Sequence, residues 1–88
     1  MIDQILAERE KTHGPYARHA AITQALKEIL HGPWWASFSP TQKETIDMIA
    51  HKLGRICAGD PDFPDHYKDI AGYATLVVKE LEAHGKKD

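Results

Sequence analysis

The chain is 88 residues long, 42 % hydrophobic and 27 % charged, with a formal charge of only -2. Its 13 acidic and 11 basic residues are mixed along the chain, which leaves no electrostatic footprint for nucleic acid. No apolar run is long enough to span a bilayer, and a single domain this small sits near the limit at which one core stabilises a fold, so self-association is expected.

The one cysteine, Cys57, cannot close an internal disulfide and is expected as a buried thiol on a helix. The N-terminus lacks the basic and apolar regions of a signal peptide, so the expectation is a soluble, cytoplasmic protein.

In chain order, residues 1–11 predict a short helix with Ile2, Ile5 and Leu6 on one side, docking by that small apolar face. The segment Thr12-His13-Gly14-Pro15 breaks it, because proline disfavours an α conformation at Gly14 and glycine permits an unusual one. A second helix over 16–31 carries Ile22, Ala25, Leu26 and Ile29 at three-four spacing. The aromatic linker Trp34-Trp35-Ala36-Ser37-Phe38 reads as a segment that closes over the core or fills an interface between subunits, in preference to a base-stacking platform.

Ser39-Pro40 opens a third helix over 40–58. Serine can cap, proline suits the first helical position, and Gln42 can complete a capping box. Ile46, Ile49, Leu53, Ile56 and Cys57 form its apolar side; Glu44, Asp47, His51 and Arg55 form the opposite stripe, which reads most simply as a solvated face. Gly59 to Asp65 makes a short, proline-containing connection, with Asp62 or Asp65 capping a last helix over 64–83. There the stripe through Asp65, Asp69, Gly72, Tyr73 and Leu76 suggests a partly buried face, and residues 84–88 are expected to fray. The fold expected is all-α: a small four-helix bundle-like domain whose two longer C-terminal helices form an antiparallel hairpin, spanning 1–88 as one unit.

The chemistry-bearing pattern lies in the last two helices. Glu44 and Asp47 are at i and i+3, and Asp65 and Asp69 at i and i+4, so each pair shares one side of a helix. Four carboxylates from two packed helices could hold magnesium, a hard cation that keeps waters for a phosphate to displace. The competing account is structural: Asp65 as a cap, Asp69 paired with Arg55 or Lys52, and Glu44 favouring the positive start of its helix. The histidines and Cys57 show no zinc spacing, and neither a phosphate-cradling glycine loop nor a serine-hydrolase motif is present.

The combination of Arg9 with Thr12-His13-Gly14, Asp47-Met-Ile-Ala-His-Lys52-Leu-Gly-Arg55, Gly59-Asp60-Pro61 and Asp65-His66-Tyr67-x-Asp69-Ile-Ala-Gly-Tyr73 resembles a small family encoded mainly by phages and prophages. That family in turn is loosely similar to the MazG-like all-α nucleotide pyrophosphohydrolases, which bind magnesium through acidic pairs and split nucleoside triphosphates into monophosphate and pyrophosphate. The resemblance implies Glu44, Asp47, Asp65 and Asp69 as metal ligands and catalytic carboxylates, and Lys52, Arg55, Tyr73, Arg9 and His13 as substrate contacts. The second pair departs from the pattern of such enzymes, being two aspartates four apart where they favour glutamates three apart, and Pro15 stands where an acidic residue is usual.

Two readings of function follow. In one, magnesium lowers the pKa of a bound water that attacks phosphorus in line with the leaving group. In the other, a non-catalytic phage accessory protein binds a nucleotide or a host protein, for instance against host defence, through Lys52, Arg55 and Tyr73. Metal dependence separates the two.

Overall fold

The computed structural model describes residues 2–85 and contains four α-helices: α1 (Ile2–His13), α2 (Tyr16–Leu30), α3 (Pro40–Ala58) and α4 (Pro64–Ala83). One 3-10 turn, Trp35–Ser37, lies between α2 and α3, and the described residues include no strand. None of the helices is long and apolar enough to cross a membrane. The end of the chain expected to fray falls partly outside the described residues, at 86–88.

Local chemistry sets the helix ends. Ser39 Oγ accepts from the Gln42 amide at 3.1 Å while Gln42 Oε1 accepts from the Ser39 amide at 2.8 Å, so the capping box forms and Pro40 takes the first turn of α3. α1 runs on through Thr12 and His13, past the stop expected at Lys11, because the constraint from Pro15 falls on Gly14 alone. At α4 the N-cap is Phe63, with no side-chain cap; neither Asp62 nor Asp65 caps the helix. Asp60 works in the connection instead, accepting from the Asp62 amide at 2.9 Å.

The third helix is the centre of the molecule. α2 and α4 each pack along α3, and α1 touches α3 and α2. Lys52 pairs with Asp69, and Ile46 shares a groove with Ala74 and Val77, so residue numbers rise on α4 as they fall on α3. The hairpin is antiparallel, as its five-residue connection requires.

A clasp made largely of backbone ties α1 to the turn between α3 and α4. The Thr12 carbonyl accepts from the Asp60 amide at 3.1 Å and from the His66 imidazole at 3.1 Å. Gly14, at φ +77, lies against Ala58 and Gly59, where a Cβ would sit 2.1 Å from the Ala58 carbonyl oxygen. Gly59 fits as tightly from the other side: its own Cβ would meet the Thr12 oxygen at 2.4 Å. Gly54 lets α2 close on α3 in the same way, directly against the Thr23 hydroxyl and the His19 ring.

Burial runs opposite to the expectation from the sequence. Among the described residues Ala50 is the one fully buried apolar side chain, whereas His19, Thr23, Thr45, Lys52 and His66 are all buried. The charged stripe of α3 is partly covered, and its apolar side is partly open: Leu53 is 37 % exposed, and Cys57, expected in the core, is exposed. Ile2, Ile5 and Leu6 are each more than half exposed, so α1 is held by its C-terminal clasp and not by the apolar face assigned to it. Trp34 is 77 % exposed, whereas Trp35 stacks on His31 with ring centroids 4.0 Å apart. Along α4, Asp65, Asp69, Gly72 and Leu76 are exposed, so the stripe read as partly buried lies open except at Tyr73.

Candidate functional site

Because the clasp fixes the last turn of α1 beside α2 and α3, the three helices enclose a cavity of about 360 Å³. α1 contributes Leu6, Arg9, Glu10 and His13, α2 contributes Tyr16 and His19, and α3 contributes His51 and Arg55. That volume lies within the range of small-molecule sites.

The imidazoles of the wall are held by specific contacts. His19 Nε2 donates to the His51 carbonyl oxygen at 3.2 Å, and the two rings meet edge to face with centroids 4.5 Å apart. A carbonyl only accepts, so the His19 proton is on Nε2. His13 packs beside His66, centroids 5.2 Å apart, and His66 is itself steadied by Phe63.

Burial and the Arg55 guanidinium dominate the electrostatics of the wall. Burial, and then the Arg55 guanidinium, bring His13 and His51 down to about 4; burial lowers His19 as well, against its bond to His51. Arg55 is lowered from its ordinary value by burial and by Arg9, with Asp69 and Tyr73 opposing, and it stays charged. Its Nε is buried without a hydrogen-bond partner among the described residues. The cavity thus sets two guanidinium groups, one with a spare donor, among imidazoles and a single carboxylate, Glu10, and a guanidinium offers forked donors that match an oxyanion.

The low imidazole values set a pH dependence. His13 and His51 are neutral in the folded chain and take up protons near 6.5 once unfolded, so their contribution is complete above about pH 6.5 and is lost as pH falls toward about 4. Thermal unfolding followed by circular dichroism is expected to give a clearly lower Tm near pH 5 than near pH 7.5. His51→Gln, which cannot protonate, is expected to flatten that slope in part, and an unchanged slope would remove His51 as a source of it.

Of the residues singled out from the sequence, Arg9, His13 and Arg55 come together in this cavity. Lys52 does not join them: it is 8 % exposed and its ammonium sits 2.8 Å from Asp69, which makes it an ion-pair partner and not a free phosphate contact. Tyr73 and Asp69 line a shallow neighbouring groove on α4 with Gly72 and Leu76. The carboxylates are dispersed. Asp47 faces α2 and pairs with His31 at 2.6 Å, Glu44 is exposed two turns before Lys52, and Asp65 is exposed in the first turn of α4.

The antiparallel register explains the dispersal. Asp65 and Asp69 lie beside the C-terminal half of α3, while Glu44 is eight residues, or about 12 Å, further back along that helix from Lys52. Among the described residues no group of three or more His, Cys, Asp or Glu side chains lies close enough together to hold a metal ion. His51 and His19 are the wall residues that the sequence reading left without a role. The signal for His51 was its position one turn before Arg55 on the same side of α3.

No family model, curated protein or solved structure matches the chain.

Proposed function

We propose that this protein binds a small phosphorylated anion, with a nucleotide as the preferred class, in the cavity between α1, α2 and α3. The observation that carries the reading is the buried, partnerless Nε of Arg55 beside Arg9 in a cavity whose other polar groups are mostly imidazoles. A guanidinium presents forked donors that match phosphate oxygens, and a second arginine close by raises the local positive potential. His13 and His51, neutral before binding, can donate to the anion through one ring nitrogen, and a bound phosphate would draw protons onto them. Leu6 and Tyr16, the latter 79 % exposed at the rim, supply apolar and aromatic surface for a base.

Isothermal titration of the purified protein with a panel of nucleoside mono-, di- and triphosphates tests this, run with and without magnesium and with analysis of products. Binding is expected without metal and is expected to weaken by about tenfold or more in Arg55→Ala, the scale of one charge-assisted hydrogen bond of about 1.5–3 kcal/mol. Repeating the titration in buffers of different ionisation enthalpy should reveal proton uptake on binding near pH 6. Pyrophosphate release that requires magnesium would advance the hydrolase reading over simple binding. Silence toward every nucleotide and toward inorganic phosphate would sink the proposal.

A further inference from the structure

The chain on its own is under-packed for its mass. A compact monomer of 9.9 kDa exposes about 5,200 Å², whereas this one exposes 6505 Å². Its radius of gyration is 15.1 Å against roughly 12 Å for a compact domain of this length, and its longest dimension is 48 Å. The surplus, roughly 1,300 Å², exceeds the ~800 Å² that each partner of a standard stable interface buries.

Part of that surface is the apolar side of α3, where Leu53 is 37 % exposed and Cys57 is exposed. α3 presents Ile46, Ile49, Leu53, Ile56 and Cys57 on one side with no charged residue among the five, and the neighbouring helices cover it only in part: the isoleucines are half-buried, Leu53 and Cys57 exposed. Thr45 and Ile46 form the floor of an apolar groove whose far wall is Ala74 and Val77 of α4. Helical spacing sets Val78 beyond that groove on one flank and Ile29 of α2 on the other, and these are 51 % and 78 % exposed. Meanwhile the chain spends its own interior on histidines, threonines and a lysine. A fold with one fully buried apolar side chain among its described residues lacks the burial that holds a domain of this size together.

We infer that a second copy of this chain covers the apolar side of α3, joining two three-helix layers face to face in a two-fold dimer. A two-fold interface brings one patch against itself, and a patch without charge can do so with no like-charge repulsion. The cavity between α1, α2 and α3 opens on the other side of the layer, where His51 and Arg55 project, so the dimer has two outward-facing pockets and its formation does not depend on the ligand.

Analytical ultracentrifugation of the full chain at micromolar concentration tests this. The expected mass is twice that of the chain, with Ile29→Lys and Val78→Lys each shifting the protein toward monomer, and Leu6→Lys, on the pocket side, leaving the dimer intact. Ile29 and Val78 are exposed in the single chain, so a lysine there is harmless to a true monomer, and the loss of mass reads the interface rather than folding. Alkylation of Cys57 supplies a second reading: slow in the concentrated protein, fast on dilution. A wild-type protein that sediments as a monomer, a dimer that tolerates both lysines, or a Cys57 that reacts at one rate throughout would each overturn the inference.

Discussion

Replacing Gly14 with alanine is expected to remove a large share of the stability of the protein. Gly14 holds φ +77, a conformation that costs an L-residue about 1–2 kcal/mol, and the added Cβ would sit 2.1 Å from the carbonyl oxygen of Ala58 and 2.8 Å from the amide of Gly59. The obstacle is backbone, so no side chain can swing aside. Strain and displacement together should exceed about 3 kcal/mol, a large share of the 5–15 kcal/mol typical of small domains. Chemical denaturation read by circular dichroism checks this. Gly72→Ala is the matched control: nothing lies within 4 Å of its Cβ position in mid-α4, and alanine there should stabilise by up to about 1 kcal/mol. Equal midpoints for Gly14→Ala and wild type would dispose of the clasp.

The second large effect concerns Lys52 and Asp69. The bond from Lys52, 2.8 Å long, is the main reason the Asp69 carboxyl lies below its ordinary value, so their pairing is present above that value and is lost as pH falls through the lowered one. Lys52 is the buried partner and Asp69 the half-exposed one. Asp69→Ala therefore leaves an ammonium buried without its counter-charge, whereas Lys52→Met retains the packed stem and removes the charge. The expected order of melting temperatures puts Asp69→Ala lowest, with Lys52→Met close to wild type and the double variant matching Lys52→Met. A double variant that falls by the sum of the single effects would mean that the two residues act independently. For activity measurements the implication is direct. Loss of function in Asp69→Ala is not evidence of catalysis until Lys52→Met has restored the fold.

The helices were legible because their signals are local. Ser39, Pro40 and Gln42 specify the start of α3 within four residues, and the three-four spacing of Ile22, Leu26 and Ile29 marks α2 without reference to anything distant. Which side of each helix is covered was not legible, since periodicity gives two sides and only packing chooses between them. Hence Ile46 and Leu53 read as core and are half open, while His19 and His66 are buried by contacts to residues 32 and 54 positions away. The site was legible in part for the same reason. Arg9, His13 and Arg55 were singled out and do converge; the spacing within each acidic pair was also plain. The register between α3 and α4, which sends Glu44 and Asp47 to a different level from Asp65 and Asp69, depends on where the connecting turn places the first residue of α4.

The clasp at Thr12 and Gly14 also sets the order in which the cavity is built. α3 and α4 meet through a five-residue connection, whereas Thr12 must find Asp60 and His66 across most of the chain, and a closure that long is entropically slow. α1 is thus expected to dock last, and with its apolar residues exposed and one end tethered it is expected to open first. An anion bridging Arg9 and Arg55 joins the late-arriving helix to the early-formed hairpin, so occupancy would slow the opening of α1 by mass action, and the amide of Asp60 would carry the record of it in hydrogen exchange.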